Sequence, residues 1–113
     1  MIEYIPDKWV VIKIKIKDTI THKVFANWYG GWTGSDSWKL NSGITKIEED
    51  GQCYLFHGYS GSVYRCHKNN YGTNLYGSGV LNNLIENMEK RQAEITVLPE
   101  ETNFLEINYD DAN

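Results

Sequence analysis

Alternation of apolar and polar residues near the start of the chain predicts a β-hairpin. Residues 18–21 are predicted to form its turn and residues 22–29 its second strand. A period of two is typical of a strand with one face buried and one face in water. In the first strand, over 9–17, the two faces carry Val10, Ile12, Ile14 and Ile16 on one side and Lys13, Lys15 and Lys17 on the other.

Turn signals divide the middle of the chain into short strands. Asp50-Gly51 lies between two apolar segments and predicts a hairpin, because Gly accepts the positive φ that a tight turn requires. Ser60-Gly61 is a weaker signal of the same kind. The predicted order is a loop over 30–43, strands over 44–49, 52–59 and 62–68, and a loop over 69–77.

One amphipathic helix is predicted over about 79–92, and a last strand follows it over 93–98, with Ile95 and Val97 pointing inward. Ser78 suits the N-cap position, and Leu84 lies in the middle of the apolar face, so we expect it in the core. The apolar face, with the 3.6-residue spacing of a helix, consists of Val80, Leu81, Leu84, Ile85 and Met88.

These elements predict an α+β fold, in which an antiparallel meander of five to six strands carries one packed helix. The pattern leaves open whether the sheet stays open or closes partly into a barrel. We expect one domain over 1–113, because the sequence contains no repeat and no linker. The segment 100–113 contains one apolar alternation and is either an edge strand or a flexible tail.

Composition and charge exclude several function classes. The net charge of −4 combines +3 over residues 1–46 with −7 over residues 47–113. This balance argues against strong nonspecific nucleic-acid binding, which requires many phosphate contacts, and against an acidic mimic of DNA. No apolar run is long enough to span a membrane, and the first residues lack a signal-peptide pattern, so we expect a cytoplasmic protein.

Two cysteines and a nearby histidine form the one candidate set for metal or thiol chemistry. A two-residue turn at Ser60-Gly61 would place Cys53, His57 and Cys66 on one face and His67 on the other. The cysteines lack the close spacing of a structural zinc site. We therefore expect reduced thiols, no metal, no cofactor and no enzymatic activity. A small metal-dependent or thiol enzyme is the alternative.

The aromatic residues around the first predicted loop are the leading candidates for a binding site. They are Trp28, Tyr29, Trp32 and Trp38, and the loop over 30–43 is otherwise rich in Gly and Ser. Such rings either fold onto the core or anchor a partner. We predict that at least one loop tryptophan is exposed or is buried only against another chain. Trp32, which has glycines around it, is the preferred candidate.

Nucleic acid is the alternative partner for the same rings. Exposed indoles can stack on the bases of a single strand, and lysines from the first hairpin would then supply contacts to phosphates. In this alternative the lysines form a basic strip beside the rings, made of Lys13, Lys15, Lys17 and Lys23.

Two segments, WYGGWTGSDSWKLNSGI (28–44) and GSVYRCHKNNYG (61–72), resemble small uncharacterised proteins encoded by tailed phages of marine bacteria. The resemblance implies a phage origin and a location in the host cytoplasm. It implies no catalytic residues. Together with the aromatic loop, it favours a small non-catalytic accessory protein that binds a protein partner or itself.

Overall fold

Two four-stranded sheets form the framework of the protein, in a computed structural model that describes residues 2–32 and 34–109. The outer sheet has the strand order β1-β7-β6-β5, and the central sheet has the order β4-β3-β2-β8. The strands are β1 (Glu3–Tyr4), β2 (Lys8–Ile16), β3 (Thr19–Trp28), β4 (Ser37–Leu40), β5 (Ile44–Asp50), β6 (Cys53–Gly58), β7 (Val63–His67) and β8 (Glu94–Val97).

The expected α+β class is confirmed, and the sheets are not closed into a barrel. All sheet pairs are antiparallel except β1 with β7. All three predicted hairpins are present, with turns at residues 17–18, 51–52 and 59–61. Two short strands, β1 and β4, were not predicted, and β4 lies inside the segment that was predicted as a loop.

The central sheet is buried on both faces, which differs from the one-sided pattern predicted for its first strand. Trp9 and Val11 of β2 pack against the outer sheet, whereas Val10 and Ile12 pack towards the helix. The unbroken apolar run at the start of β2 reflects this position between two layers. Lysines alternate with isoleucines only in the second half of the strand, where residues 15–17 are exposed.

The helix α1 (Leu75–Glu89) covers the far face of the central sheet and begins four residues earlier than predicted. Asn74 is its N-cap instead of Ser78, and the Asn74 side chain accepts a hydrogen bond from the Gly77 N–H at 2.6 Å. Leu81 is its most buried apolar residue, whereas Leu84 is half-buried. Within the described ranges, no helix is long and apolar enough to span a membrane.

Residues 100–109 close the space between the two sheets and do not form an edge strand. A 3-10 helix over Phe104–Glu106 inserts Phe104 into the core, where it is 2% exposed. The Tyr109 hydroxyl donates to the Phe104 carbonyl at 2.7 Å and holds this turn. The remainder of the predicted tail, residues 110–113, lies outside the described residues.

Candidate functional site

The fold brings the four aromatic candidates together at one end of the central sheet. The strand β3 ends at Trp28, and only eight residues separate it from the start of β4. In the β3–β4 pair, Trp28 lies opposite Ser37 and Asn27 lies opposite Trp38. Tyr29 and Trp32 belong to the connection between these strands. The four rings therefore surround a single strand-to-strand connection.

Trp32 is the most exposed aromatic residue, at 96% of its surface, and its loop is closed at the base. The Gly30 N–H donates to Asp36 Oδ1 at 2.9 Å. A Cβ atom on Gly30 would lie 2.3 Å from the Ser35 backbone, so the two ends of the loop touch. The prediction that Trp32 is exposed is confirmed. Because contacts at its base restrain the loop, binding through Trp32 should cost less conformational entropy than binding through a mobile loop.

Trp28 and Trp38 are partly anchored, in contrast to Trp32. The Trp28 indole N–H donates to the Ile5 carbonyl at 2.9 Å. Trp38 stacks on Phe25 with a centroid separation of 5.6 Å and remains 37% exposed. Tyr29 is 57% exposed, and its N–H donates to Asp7 Oδ2 at 2.8 Å. Contacts therefore hold the Trp28 and Trp38 rings at the two ends of the connection that carries Trp32, whereas Tyr29 is held there through its backbone.

A cleft of about 560 Å³ opens between β4 and β1, beside Trp28 and Trp38. The Lys39 ammonium group lies 5.1 Å from the centre of the Tyr4 ring, in cation–π geometry. Glu3 forms an ion pair with Arg65, whereas Lys39 forms no ion pair with any residue in the described ranges. The cleft is thus aromatic, with one uncompensated positive charge. Its lining consists of Glu3, Tyr4, Ile5, Trp28, Ser37, Trp38 and Lys39.

The start of α1 extends the same apolar surface on the other side of β4. Leu75 is 92% exposed and Tyr76 is 44% exposed. They precede Gly77, which packs directly on Asn27, the residue opposite Trp38. We refer to this whole surface as the aromatic end, consisting of Ile5, Trp28, Tyr29, Trp32, Trp38, Leu75 and Tyr76.

The predicted lysine strip does not lie beside the rings, and this part of the nucleic-acid hypothesis is wrong. Lys15 pairs with Ile20, eight residues before Trp28 along β3. At 3.2–3.4 Å per residue this is roughly 27 Å from the loop. Lys23 lies opposite Ile12 and shares its face of the sheet, whereas Lys13 and Lys15 occupy the other face. Lys17 lies in the turn, with a positive φ of 55°.

The predicted grouping of Cys53, His57 and Cys66 is also wrong, because the β6–β7 register differs by one residue. Cys53 pairs with His67, and Cys66 pairs with Tyr54. A one-residue shift moves every side chain to the other face, so Cys66 points into the core, away from Cys53. Burial raises the pKa of the Cys66 thiol well above its usual value, which makes it a poor nucleophile.

In the described part of the chain, no group of three or more His, Cys, Asp or Glu side chains is placed to hold a metal ion. No family model matches the chain, and no curated protein or solved structure matches it.

Sequence reasoning missed Ile5, Leu75 and Tyr76 as members of the aromatic end. Ile5 precedes Pro6 in a segment with no periodicity. Leu75 and Tyr76 were assigned to a loop, because the three glycines at 72, 77 and 79 obscured the start of the helix. One signal was present: Asn74 is a favoured N-cap residue, and a helix starting there places Leu75 outside its apolar face.

Proposed function

We propose that this protein is a small non-catalytic accessory protein that binds a protein partner, or a second copy of itself, through the aromatic loop over residues 30–43. The observation that carries the proposal is Trp32, a nearly fully exposed indole on a loop whose base is closed by Gly30 and Asp36. Tryptophans of this kind are enriched among the residues that dominate protein–protein binding energies.

The surroundings of Trp32 support a protein partner. Exposed Leu75 and Ile5 add aliphatic surface to the rings, and a large contiguous apolar patch marks an interaction site. The nearby carboxylates of Asp7 and Asp36 are engaged by backbone N–H groups of the loop. A mainly apolar surface with few free charges suits the core of a protein interface.

The geometry favours protein over single-stranded nucleic acid. Phosphate contacts require several cations near the stacking rings, but the lysines of the predicted strip begin near the middle of the central sheet, at Lys23, and continue to its far end. Lys8 of β2, opposite Asn27, is the one lysine of the first hairpin at the aromatic end. Lys39 is the nearest cation in the cleft, and its ammonium group faces the Tyr4 ring. Binding through this surface should therefore depend weakly on salt concentration.

A capture experiment tests the proposal. Immobilised wild-type protein and a Trp32→Ala variant are compared in a bacterial lysate, with a marine host of tailed phages as the first choice because of the sequence resemblance. We expect Trp32→Ala to lose a specific captured protein, or its own self-association. Tyr59→Ala is the matched control, since Tyr59 is also exposed, at 64%, but lies in the β6–β7 loop.

Three outcomes would contradict the proposal. Equal capture by wild type and Trp32→Ala would show that the loop is not part of the interface. Equal losses for Trp32→Ala and Tyr59→Ala would indicate nonspecific apolar adhesion. Capture of oligonucleotides that weakens steeply with added salt would support the nucleic-acid alternative instead.

A further inference from the structure

The strand β4 presents an edge of the central sheet whose outward backbone groups are unpaired. The Asn41 N–H donates to the Val24 carbonyl at 3.0 Å, so Val24 and Asn41 form a hydrogen-bonded pair. Hydrogen-bonded and non-hydrogen-bonded pairs alternate along an antiparallel ladder. Trp38 and Leu40 therefore belong to non-hydrogen-bonded pairs, and their N–H and C=O groups point away from β3.

A second hydrogen bond supports this alternation. The Asn27 carbonyl accepts from the Asp7 N–H at 2.9 Å, on the β2 side of β3, so it is not directed at Trp38. Among residues 2–32 and 34–109, none hydrogen-bonds to the outward groups of Trp38 or Leu40. The edge of β4 is available for another strand.

The two edges of the outer sheet carry features that discourage pairing. The strand β5 has an irregular register between Ile44 and Lys46 and ends in acidic residues over 48–50. The strand β1 is two residues long and is followed closely by Pro6. Bulges, charges, proline and short length are the usual protections of edge strands. The one charged residue of β4, Lys39, directs its ammonium group to Tyr4.

We propose that β4 pairs antiparallel with β4 of a second copy of this chain, across a two-fold axis at Trp38, to form one continuous eight-stranded sheet. The inference rests on the proposed function, because it names the partner of the aromatic end. In this register Trp38 lies opposite Trp38 of the second copy, and Ser37 lies opposite its Lys39. An aromatic cross-strand pair is favourable. An axis at Lys39 would instead oppose two lysines.

The width of the aromatic end favours a folded second copy over a single extended peptide. Leu75 and Tyr76 lie on the helix side of β4, whereas Ile5 and Trp28 lie on its cleft side. One added strand covers only about 4.8 Å of sheet width. A partner that covers both sides of β4 needs an apolar surface beside the edge strand that pairs with β4. A second copy related by two-fold symmetry has such a surface, because it presents the same aromatic end.

The exposed area is sufficient for a dimer. At about 150–250 Å² for a fully exposed aromatic side chain, the aromatic end leaves on the order of 700 Å² of side-chain surface open in each copy. A standard interface buries about 800 Å² on each partner. The backbone of β4 and the outer residues of the loop can supply the remaining buried area.

Sedimentation equilibrium over a range of protein concentrations tests the pairing. We expect the wild type to form a dimer, and Trp38→Lys to weaken it at least tenfold, because a lysine replaces the central aromatic pair. Val97→Lys is the matched control: Val97 is also on an edge strand, β8, and is 38% exposed, close to the 37% of Trp38. Circular dichroism verifies that each variant remains folded.

Cysteine pairs test the register independently of any loss of stability. In a Cys53→Ser background, the double variant Ser37→Cys/Lys39→Cys should form intermolecular disulfides readily, because these positions oppose each other when the axis is at Trp38. Lys39→Cys alone should link poorly, since like positions are then offset by two residues.

The outcomes separate this inference from the proposed function. A wild type that stays monomeric at all concentrations overturns the pairing but leaves capture of another protein through Trp32 intact. The dimer could also persist in Trp38→Lys but be lost in Trp32→Ala. The interface would then consist of the loop without the β4 edge, and this result also overturns the pairing. Efficient linking of Lys39→Cys alone rejects the axis at Trp38.

Discussion

Two groups of aromatic residues, one between the sheets and one at the aromatic end, have similar composition but opposite environments. Trp9 is 1% exposed, and Trp32 is 96% exposed. The Trp9 indole N–H donates to the His67 carbonyl at 2.7 Å, and its ring contacts four other rings. The difference arises from position. Trp9 lies in a strand that is covered on both faces, whereas Trp32 follows two glycines in a connection between strands.

Backbone groups show the same contrast between the two regions. On the free side of β2, the Trp9 carbonyl accepts from the Gly72 N–H at 2.8 Å, and the Val11 N–H donates to the Tyr71 hydroxyl at 3.2 Å. The residues beside the core thus complete the hydrogen bonds of the sheet. The edge of β4 has no such cover from the described residues. Exposed rings and unpaired backbone groups occur together at one end of the central sheet.

The largest effect should come from the core group. We expect Trp9→Ala to reduce the free energy of unfolding by about 3–5 kcal/mol, the usual loss for a large buried aromatic residue. Trp9→Phe retains most of the buried area and should cost less than half as much. Denaturant titration of both variants measures the difference. A loss below about 1 kcal/mol for Trp9→Ala would show that the space between the sheets is not tightly packed.

The contact between the helix and the central sheet gives the next largest effect. A Cβ atom on Gly77 would lie 2.1 Å from Asn27 Oδ1, and Asn27 is fully buried. We expect Gly77→Ala to destabilise by about 1–3 kcal/mol through this clash. Gly79→Ala is the control, because no atom lies within 4 Å of its Cβ position. There the gain in helix propensity should stabilise by up to about 1 kcal/mol.

Equal stability of Gly77→Ala and wild type would contradict the close seating of α1 on Asn27. Leu75 and Tyr76 would then no longer belong to the aromatic end, since their position depends on that contact. The matched glycines therefore test the boundary of the binding surface as well as the packing.

Buried tyrosine hydroxyls should make the core sensitive to alkali. Burial raises the pKa of Tyr64 to about 12, with smaller contributions from Tyr4 and Cys66, and burial likewise raises the pKa of Tyr71 to about 12. In the unfolded chain these groups ionise near pH 10. The stabilisation that the buried, protonated tyrosines contribute is therefore fully present below about pH 10 and is lost as the pH rises through about 12.

Unfolding titrations at increasing pH, followed by tyrosinate absorbance, measure this loss. We expect on the order of 1 kcal/mol from each ring, allowing for partial hydration of the hydroxyl groups. Tyr64→Phe removes one ionising group and should retain more stability between about pH 10 and 12 than the wild type does. An identical alkaline profile for the two proteins would contradict the buried position of the Tyr64 hydroxyl.

The sequence predicted the elements in which local pattern and tertiary position agree. Alternation in β2 and the Asp50-Gly51 signal located two hairpins, because strand period and turn chemistry are local properties. The strand β4 was missed because its four residues, Ser37–Leu40, are too few for a clear pattern and lie in a stretch rich in Gly and Ser. They become a strand by pairing with β3. Phe104 was missed because its burial depends on the gap between two sheets, which no local pattern encodes.

The candidate site was predicted in part for the same reason. Glycines around Trp32 favoured it as the exposed tryptophan of the loop, and this prediction is confirmed. The thiol grouping failed on a single residue of register: residues 59–61 form a three-residue loop in place of the two-residue turn predicted at Ser60-Gly61. Gly61 has a φ of 91° in that loop, and a glycine signal alone does not distinguish the two loop lengths.

The smallest effect on stability should come from the aromatic end, and it completes the comparison. We expect Trp32→Ala to change the free energy of unfolding by less than about 0.5 kcal/mol, because an exposed side chain contributes little to the fold. Trp38→Ala should cost about 1 kcal/mol, since it loses its stack on Phe25. Both values are measured at protein concentrations low enough to exclude self-association, because a dimer would add its own stabilisation. If Trp32→Ala destabilised as strongly as Trp9→Ala, the loop would be folded onto its own chain and the two aromatic groups would form one core. The destabilisation by Trp32→Ala could instead be small at low protein concentration and increase at higher concentration. That result would show that Trp32 is buried against a second molecule.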